Sequence, residues 1–593
     1  MASSSGSGGV GVTRRSVLAG LTGGLAASSG CLSRIRALIG RNRPRTVSLS
    51  IKTLPVDQDP YAIAIARQVS QWFDAAGIRA NIQPVTAEEL YRQTLVNHDF
   101  DVFVGQFSGA FDDPDAFYPL LHSTYSVESG MQNPFGYTNL SMDDLLEQQR
   151  RETGDSRAET VSRIQRRLVQ ECPFIVLGFP RVIRAARTDT FTRWPGVFDP
   201  SPVNLLTLDR TDGSATRLRA TTPDKRPMAN LNPLMAAYRG PSDITDLVYD
   251  SLAYRYRGTL YPWTATNWEW TGEDPLELTV TLREDLTWHD GEDLTASDAA
   301  FTYDLFRDTS LGRTEGTAPT FRFRGRTGVV TDTTAVDDRR LRIQFGDCSR
   351  QVARRALTTP LLPRHVWTDR TNEATLSGVD VGVATTEALV TPNIPPVGSG
   401  LLEFASVTQG QRLVFDRFDD HFMERDSETG LPNALTDGLP FEELELQFVG
   451  SDASSVDLIA NDEADVTALG VGPDLTSTIG RADDVSLNVD HSGSFYFLGF
   501  NARRSPLTNP RFRNTLARLV DRATLSESVF DGYVDTAVSP LAGTPWLPRD
   551  LAWEASDRIT DFLGSDGQVD SEQARKAFRA AGYQYNEQQR LLQ

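Results

Sequence analysis

The stretch 276–306, LELTVTLREDLTWHDGEDLTASDAAFTYDLF, contains the signals of a strand, a turn and a helix in close succession. Apolar and polar residues alternate over 276–282, which predicts a strand with one buried face. The Asp-Gly pair at 290–291 predicts a tight turn, because glycine accepts a positive φ and aspartate bonds to nearby backbone. Thr295 can cap a following helix whose first turn carries Asp298. The stretch therefore predicts a half-buried strand that is followed by a tight turn and a capped helix.

The same stretch resembles the signature of the extracytoplasmic solute-binding proteins of ABC transporters, family 5, whose members bind oligopeptides, dipeptides or nickel. In that family the signature maintains the fold and does not contact the ligand. The resemblance therefore implies an α/β, two-lobed periplasmic-binding-protein-like fold (type II) with an extra subdomain. The residues that carry it are Leu282, Arg283, Trp288, His289, Asp290, Gly291, Leu294, Thr295, Ala296 and Asp298.

The chain presents these elements in a different order from that family. Residues 47–106 follow a strand, helix, strand, helix, strand order, which predicts a parallel sheet covered by helices, and they resemble the family's carboxy-terminal lobe. The family's first strand is similar to residues 217–220, and the start of its second lobe is similar to residues 495–533. Each element occurs once, so we predict a circularly permuted chain; the alternative is a fusion of two truncated proteins. The predicted strands are 47–51, 78–84 and 100–106, and the predicted helices are 61–76 and 87–96.

The permuted order predicts six segments. They are a twin-arginine lipoprotein-type signal at 1–31, a linker at 32–45, the family's C-terminal part of the second lobe at 46–190, a return segment with the permutation joint at 191–216, the first lobe at 217–490 with an inserted subdomain at about 255–390, and the start of the second lobe at 491–593.

The amino-terminal segment resembles an export signal. Paired arginines at 14–15 precede a weakly apolar run that ends at Ala27, which is typical of twin-arginine signals. The Gly-Cys pair at 30–31 resembles a lipobox, which implies that Cys31 is lipidated. The apolar run is shorter than the roughly 20 residues that span a bilayer. We therefore expect the protein to be exported and lipid-anchored on the outer face of the cytoplasmic membrane.

Composition limits the partners. The net charge of −20 excludes nucleic acid, because phosphate backbones require a basic surface. Only three of the 59 basic residues are lysines, which is typical of proteins that work in concentrated salt, although drift in a GC-rich genome produces the same bias. Beyond the signal, Cys172 and Cys348 lie far apart in apolar surroundings, which favours buried free thiols over a disulfide or a metal pair.

The sequence contains no recognisable catalytic motif. The six histidines lack metal-ligand spacing, and neither Gly-x-Ser-x-Gly, Ser-x-x-Lys nor a glycine-rich phosphate loop occurs. His289 and His365 lie within motifs that the family uses for its fold, and we expect both to be structural. The prediction is a protein that is not an enzyme, with no catalytic residue, cofactor or metal site.

The resemblance implies a ligand site in the crevice between the lobes. In peptide-binding relatives an aspartate in the loop after the strand 100–106 pairs with the ligand's ammonium group, and alignment places Ala110 at that position. Asp112 or Asp113 can replace it from nearby. For Asp113 the alternative is a helix cap, because a short helix starts just after it.

Five further residues are candidates for ligand contact. Phe107 stands where relatives have a crevice tryptophan, and Tyr496 lies on a strand that crosses between lobes. Arg239 can bind a carboxylate through two hydrogen bonds, with Tyr238 beside it. Trp546 belongs to a loop that overhangs the pocket in relatives. For each of them core packing or solvation is the alternative.

The resulting hypothesis is an extracytoplasmic binding protein that captures a small solute, a peptide first of all, and delivers it to the membrane subunits of an ABC permease. The alternatives are a nickel chelate, another metal chelate or an oligosaccharide as ligand, and a sensory ectodomain or interaction module in place of a transport component.

Overall fold

The computed structural model describes residues 45–593 apart from short gaps, and these residues form two lobes that share one sheet. Twelve of the described strands belong to this sheet, in which one long strand passes between the lobes. Within the described ranges no helix is both long and apolar enough to cross a membrane. The gaps are residues 108–110, 112, 129, 131, 196–200, 212, 214, 236–243, 316–317, 319, 321, 375–384, 426–428 and 555–560.

The second lobe begins with a parallel sheet. Strand Ser48–Thr53 lies between Arg79–Pro84 and Val102–Phe107 and pairs in parallel with both. The predicted β-α-β-α-β unit is therefore confirmed. Its second helix is shorter than predicted, because Ala87–Tyr91 continues as a π-helical turn over Arg92–Val96.

The first helix of this unit, Pro60–Ala75, packs on the sheet through one apolar face. Asp59 caps it by accepting a hydrogen bond from the Ala62 backbone N–H. Gly77 ends it with φ of +84°, a conformation that favours glycine. The predicted apolar face is confirmed, since all six residues assigned to it are buried: Ala62, Ile65, Ala66, Val69, Trp72 and Phe73.

Strands from distant parts of the chain form the first lobe's half of the sheet. Arg217–Thr222 pairs in parallel with Glu443–Phe448 on one side and with Val466–Thr467 on the other. Arg412–Arg417 and Leu402–Thr408 extend the sheet as an antiparallel edge. The first lobe therefore has its own parallel centre, as the second lobe does.

A four-stranded antiparallel sheet forms the inserted subdomain and contains the signature strand. This strand has the predicted bounds, Leu276–Leu282, and Thr295 and Asp298 form a capping box at the start of helix Ala296–Arg307. The sheet order is Ala265–Glu273, Leu276–Leu282, Arg340–Phe345 and Val330–Ala335.

The turn of the signature is fastened to the glycine-containing turn at 396–400. The His289 N–H donates to the Gly398 carbonyl at 2.8 Å, and its Nε2 lies 3.0 Å from the Gly400 carbonyl oxygen. A Cβ at Gly398 would stand 1.9 Å from a carbonyl oxygen of the facing segment, so only glycine fits. Burial lowers the pKa of His289 to about 4. His365 Nε2 lies 2.8 Å from Asp290 Oδ2, so both histidines have structural roles, as predicted.

Two antiparallel strands connect the lobes. The crossing strand, Phe174–Arg187, pairs with Phe495–Phe500 in the second lobe and with Val485–His491 in the first. These two partners follow each other in the chain and are separated only by residues 492–494. The connection is therefore a two-stranded ribbon, a geometry that allows the lobes to close about a hinge.

The ends of the described chain lie side by side. The Val47 N–H donates to the Leu591 carbonyl at 2.8 Å, and the Gln593 N–H donates to the Arg45 carbonyl at 2.8 Å. A permuted order requires such proximity. The permutation itself, its joint and the six segment boundaries stay predictions.

Separate cores fill the two lobes, and short elements cover them. Cys172 and Cys348 are free thiols as predicted, but only Cys172 is buried, whereas Cys348 is partly exposed.

The other α-helices of the second lobe are Phe117–Leu121, Leu140–Arg151, Gly154–Glu171, Pro510–Ala517, Arg522–Ser528 and Ser571–Ala580. Those of the first lobe and its return segment are Pro202–Leu205, Arg226–Ala229, Arg324–Thr327, Arg350–Ala353, Arg364–Trp367, Glu387–Val390, Phe422–Arg425, Asp452–Ala460 and Thr476–Ile479. The shorter strands pair as Phe191–Thr192 with Asp209–Arg210, Ala253–Tyr256 with Thr259–Pro262, Val534–Asp535 with the crossing strand, Gly564–Ser565 with Gln568–Val569, and Gln584–Tyr585 with Leu591–Leu592.

Candidate functional site

The carboxyl ends of the parallel strands in both lobes face one another beside the connecting ribbon. In the second lobe Ser48–Thr53 leads into residues 54–61, and in the first lobe Arg217–Thr222 leads into residues 223–229. The positive charge of Arg226 lowers the pKa of the Asp59 carboxyl, so the two segments lie within electrostatic range of each other. Ligands of open α/β sheets bind at the carboxyl ends of the strands. This crevice is therefore the candidate site.

The second lobe's side of the crevice is built on an Asp–Tyr pair. The Tyr496 hydroxyl donates to Asp59, with both carboxylate oxygens at 3.0 Å. Tyr496 and Tyr61 also pack together, with their ring centroids 6.2 Å apart. Burial raises the pKa of the Asp59 carboxyl, and the hydrogen bonds that it accepts oppose this effect. Asp59 thus both caps its helix and fixes Tyr496 at the wall of the crevice.

The first lobe contributes two carboxylates. Asp452 Oδ2 accepts the Gly472 N–H at 3.0 Å, and a Cβ at Gly472 would lie 2.5 Å from Asp474 Oδ1. Neither carboxylate forms an ion pair with another of the described residues. Burial raises the pKa of Asp452, and the like charge of Asp474 raises it further. Burial also raises the pKa of Tyr61 in the facing lobe to about 12, and the negative charge of Asp452 adds to the rise. The charge of this first-lobe carboxylate therefore acts on a side chain of the second lobe.

Aromatic side chains line the crevice where Val102–Phe107 ends. Phe107 stacks on Phe495 with centroids 5.4 Å apart and an interplanar angle of 5°, and it also contacts Phe111 at 5.0 Å. Phe179 of the crossing strand packs on Phe495 from the hinge at 5.3 Å. Phe107 is half-buried, so part of its ring remains available to a ligand.

Behind this wall lies a buried ion pair. Arg157 donates to both oxygens of Asp113, at 2.6 and 3.1 Å, and both side chains are buried. Asp113 also accepts the Asp115 N–H at 2.8 Å, which is the predicted helix cap. The Arg157 guanidinium lies 5.2 Å from the Trp546 ring centroid. Burial alone would raise the pKa of Asp113, but the positive charges of Arg355 and Arg157 outweigh it and hold this pKa below its usual value.

A second buried carboxylate joins the two lobes directly. Asp115 accepts from Arg150 of its own lobe at 2.7 Å and from Arg355 of the first lobe at 3.0 Å. Beside it the Ser349 N–H donates to the Arg150 carbonyl at 2.7 Å. We call Asp115, Arg150 and Arg355 the interlobe clamp. In the described part of the chain, the clamp links the two lobes through a buried ion pair.

The structure places the predicted site residues in two groups. Phe107, Asp113 and Trp546 share one neighbourhood around the same aromatic core, whereas Tyr496 lies on the opposite face of its strand, with Asp59. Asp113 uses both carboxylate oxygens within the fold, and Tyr496 is only 4% exposed. The ligand roles of these four residues stay predictions. Asp112, Tyr238, Arg239, Ala110 and the lipidation residue Cys31 lie outside the described residues.

The sequence patterns did not indicate the acidic residues of the crevice or the residues of the interlobe clamp. Asp59, Asp452 and Asp474 each follow a strand of a parallel sheet, and Asp115 follows the strand that ends at Phe107. The rule that ligands bind at the carboxyl ends of strands would have indicated Asp59, because the parallel unit that contains the preceding strand was predicted. Arg355 has no such signal, since its contact joins parts of the chain 240 residues apart.

The described residues offer no ready metal site: no group of three or more His, Cys, Asp or Glu side chains there is arranged to hold an ion.

Comparisons with known proteins agree with this architecture. Residues 259–592, more than half of the chain, match the model of bacterial extracellular solute-binding proteins, family 5 Middle. The oligopeptide-binding protein AppA of Bacillus subtilis is 23% identical over 282 residues, which cover 46% of this chain and 45% of that protein. The heme-binding protein A of Haemophilus influenzae is 22% identical over 357 residues, which cover 57% and 56%. The chain thus spans about half the length of these relatives.

Solved structures of similar proteins carry different ligands. NikZ of Campylobacter jejuni, in complex with Ni(L-His), has a TM-score of 0.42 and 16% identity over 64% of this chain and 65% of that one. AppA of Bacillus subtilis, in complex with a nonapeptide, has a TM-score of 0.42 and 16% identity over 63% and 65%. On the family match, which covers more than half of its length, the chain belongs to the family-5 bacterial extracellular solute-binding proteins.

Proposed function

We propose that the protein captures a small solute outside the cytoplasmic membrane and delivers it to an ABC permease. One observation carries the proposal: the carboxyl ends of parallel strands from two lobes meet across a crevice, beside a two-stranded hinge. A crevice that closes about a hinge encloses its ligand and excludes water. The family to which the chain belongs uses its lobes in this way, which supports the proposal.

We further propose a peptide, or another solute with an ammonium group, as the ligand. Asp452 and Asp474 present two carboxylates close to each other, and an ammonium group would relieve their mutual repulsion. The half-buried ring of Phe107 would supply an apolar contact. The nonapeptide held by Bacillus subtilis AppA supports this ligand class. The Ni(L-His) held by NikZ is the reason to include nickel chelates among the ligands that are tested.

The anchoring of the protein is also a proposal. The twin-arginine segment and the Gly-Cys pair at 30–31 support export and a lipid on Cys31, which would leave the lobes mobile near the permease. The acidic, lysine-poor composition supports work in concentrated salt. Mass spectrometry of the membrane-associated protein tests the anchor: a lipidated Cys31 at the new amino terminus supports it, and an unmodified one contradicts it.

Thermal unfolding in high salt tests the ligand class. The panel contains di- to hexapeptides, nickel chelates and oligosaccharides. A peptide that binds the folded protein should stabilise it by about 2.7 kcal/mol at a hundredfold excess over its dissociation constant. Asp452→Asn should weaken peptide binding by tenfold or more, because a hydrogen bond to a charged group contributes about 1.5–3 kcal/mol. Asp457→Asn, an exposed change on the same helix, is the matched control.

Each outcome of the panel has a definite meaning. A shift with peptides that Asp452→Asn removes and Asp457→Asn retains supports both the crevice and its charge preference. A shift only with a chelate or an oligosaccharide keeps the binding function and contradicts the peptide. A peptide shift that Asp452→Asn leaves unchanged contradicts the role of the first-lobe carboxylates.

A further inference from the structure

A small cavity lies inside the second lobe at the root of the crossing strand, and none of the crevice residues lines it. Its volume is about 10 Å³, which is room for one water molecule or one small ion. Most of its wall is apolar, with one guanidinium and one thiol among the side chains. The wall consists of Leu168, Val169, Cys172, Phe174, Ile175, Val176, Arg522 and Val538.

Arg522 brings a positive charge into this apolar space. It is only 5% exposed, and its Nε donates to the Val176 carbonyl at 2.7 Å. Among the described residues this is its one hydrogen bond, so the two terminal nitrogens have no acceptor there. Burial lowers the pKa of Arg522 to about 10, which still leaves it charged at neutral pH.

Among the described residues no carboxylate forms an ion pair with this guanidinium. Burial raises the pKa of the Cys172 thiol to about 12, and the thiol donates to a backbone carbonyl, so it is neutral. The negative charge of Asp521 acts on Arg522, but the two side chains form no ion pair, because the Asp521 carboxylate accepts hydrogen bonds from Thr524, Ala523 and Gly567 instead. Arg513, only 2% exposed, adds a second positive charge beside Cys172.

We propose that this cavity binds a small monovalent anion, with chloride as the natural occupant, through the terminal nitrogens of Arg522. A buried guanidinium whose terminal nitrogens lack an ion-pair partner is costly, and arginine cannot escape the cost by losing its proton. A water molecule would fill the space but would not neutralise the charge. The anion would join helix Gly154–Glu171, the crossing strand and helix Arg522–Ser528, and would stabilise the base of the hinge.

Bromide provides the direct test on the unaltered protein. Crystals of the full chain are grown in sodium bromide in place of sodium chloride, and anomalous scattering is recorded at the bromine edge. We expect an anomalous peak in contact with the Arg522 terminal nitrogens. A cavity that shows only a water-sized density without an anomalous signal overturns the proposal.

A chloride titration supplies a second readout that does not depend on crystals. Chemical unfolding is measured while chloride replaces gluconate, an anion too large for the cavity, at constant ionic strength. Above the dissociation constant, each tenfold rise in chloride should lower the unfolding equilibrium constant about tenfold through this one site. Arg522→Met should abolish this dependence.

Arg513→Met is the matched control, because Arg513 is equally buried but donates to backbone carbonyls and does not line the cavity. We expect this variant to be less stable yet to keep the chloride dependence. An equal chloride dependence in the wild type and in Arg522→Met, or its loss in Arg513→Met alone, would assign the effect to another site.

Discussion

Replacing Arg157 by methionine is expected to lower the free energy of unfolding by about 3–5 kcal/mol, because the change leaves a buried carboxylate without its partner. Arg157 is fully buried and forms two hydrogen bonds to Asp113 and two to Gln149. The midpoint of urea unfolding at neutral pH measures the loss. Methionine keeps most of the volume, so the charge and not the packing is tested.

Two further variants identify the cause of that loss. Arg166→Met removes an arginine from the same helix whose partner, Asp550, is 42% exposed, and it should cost at most about 1 kcal/mol. Adding Asp113→Asn to Arg157→Met should recover part of the stability, since the amide carries no charge and can still accept the Asp115 N–H. A loss of similar size in Arg166→Met, or no recovery in the double variant, would contradict the ion-pair explanation.

Replacing Arg355 by methionine is expected to shift the lobes from the closed toward the open arrangement. The Asp115–Arg355 hydrogen bond of the interlobe clamp exists only while the lobes are together. A hydrogen bond between charged groups contributes about 1.5–3 kcal/mol, which corresponds to a 10- to 150-fold change in the ratio of closed to open molecules. Small-angle X-ray scattering of the ligand-free protein should therefore give a larger radius of gyration for the variant.

Arg151→Met is the control for this shift, because it breaks an exposed pair with Asp347 at the same junction, with side chains 49% and 74% exposed. Exposed pairs contribute little, so the scattering of this control should match that of the wild type. Identical scattering of Arg355→Met and wild type would show that the clamp does not set the balance between closed and open forms.

Sequence patterns predicted the local elements well where one rule acted alone. The bounds of Leu276–Leu282, the helix cap at Thr295 and the apolar face of the helix after Asp59 all follow from spacing and capping preferences, and all are present. The β-α-β-α-β order of residues 47–106 was predicted equally well. In each case the deciding residues lie within a few positions of one another.

The contacts across the crevice were not predictable in the same way. Asp115 and Arg355 meet only because the subdomain packs against the second lobe. In the sequence of a long acidic chain, a single charged residue of either sign is expected to be a surface residue. Asp113 has one partner of each kind, a local one and a distant one. Its cap was predicted from the next few residues, whereas its pairing with Arg157, 44 residues later, was not. Tertiary partners of this kind leave no local pattern.

Hydrogen–deuterium exchange with and without a bound solute shows whether the binding site lies in the crevice between the lobes. The solute is the panel member that gives the largest thermal shift, used at a hundredfold excess over its dissociation constant. We expect protection of the facing segments 54–61, 223–229, 449–452 and 468–474, from both lobes at once. Protection confined to one lobe, or to the outer face of the subdomain, would contradict a binding site in the crevice.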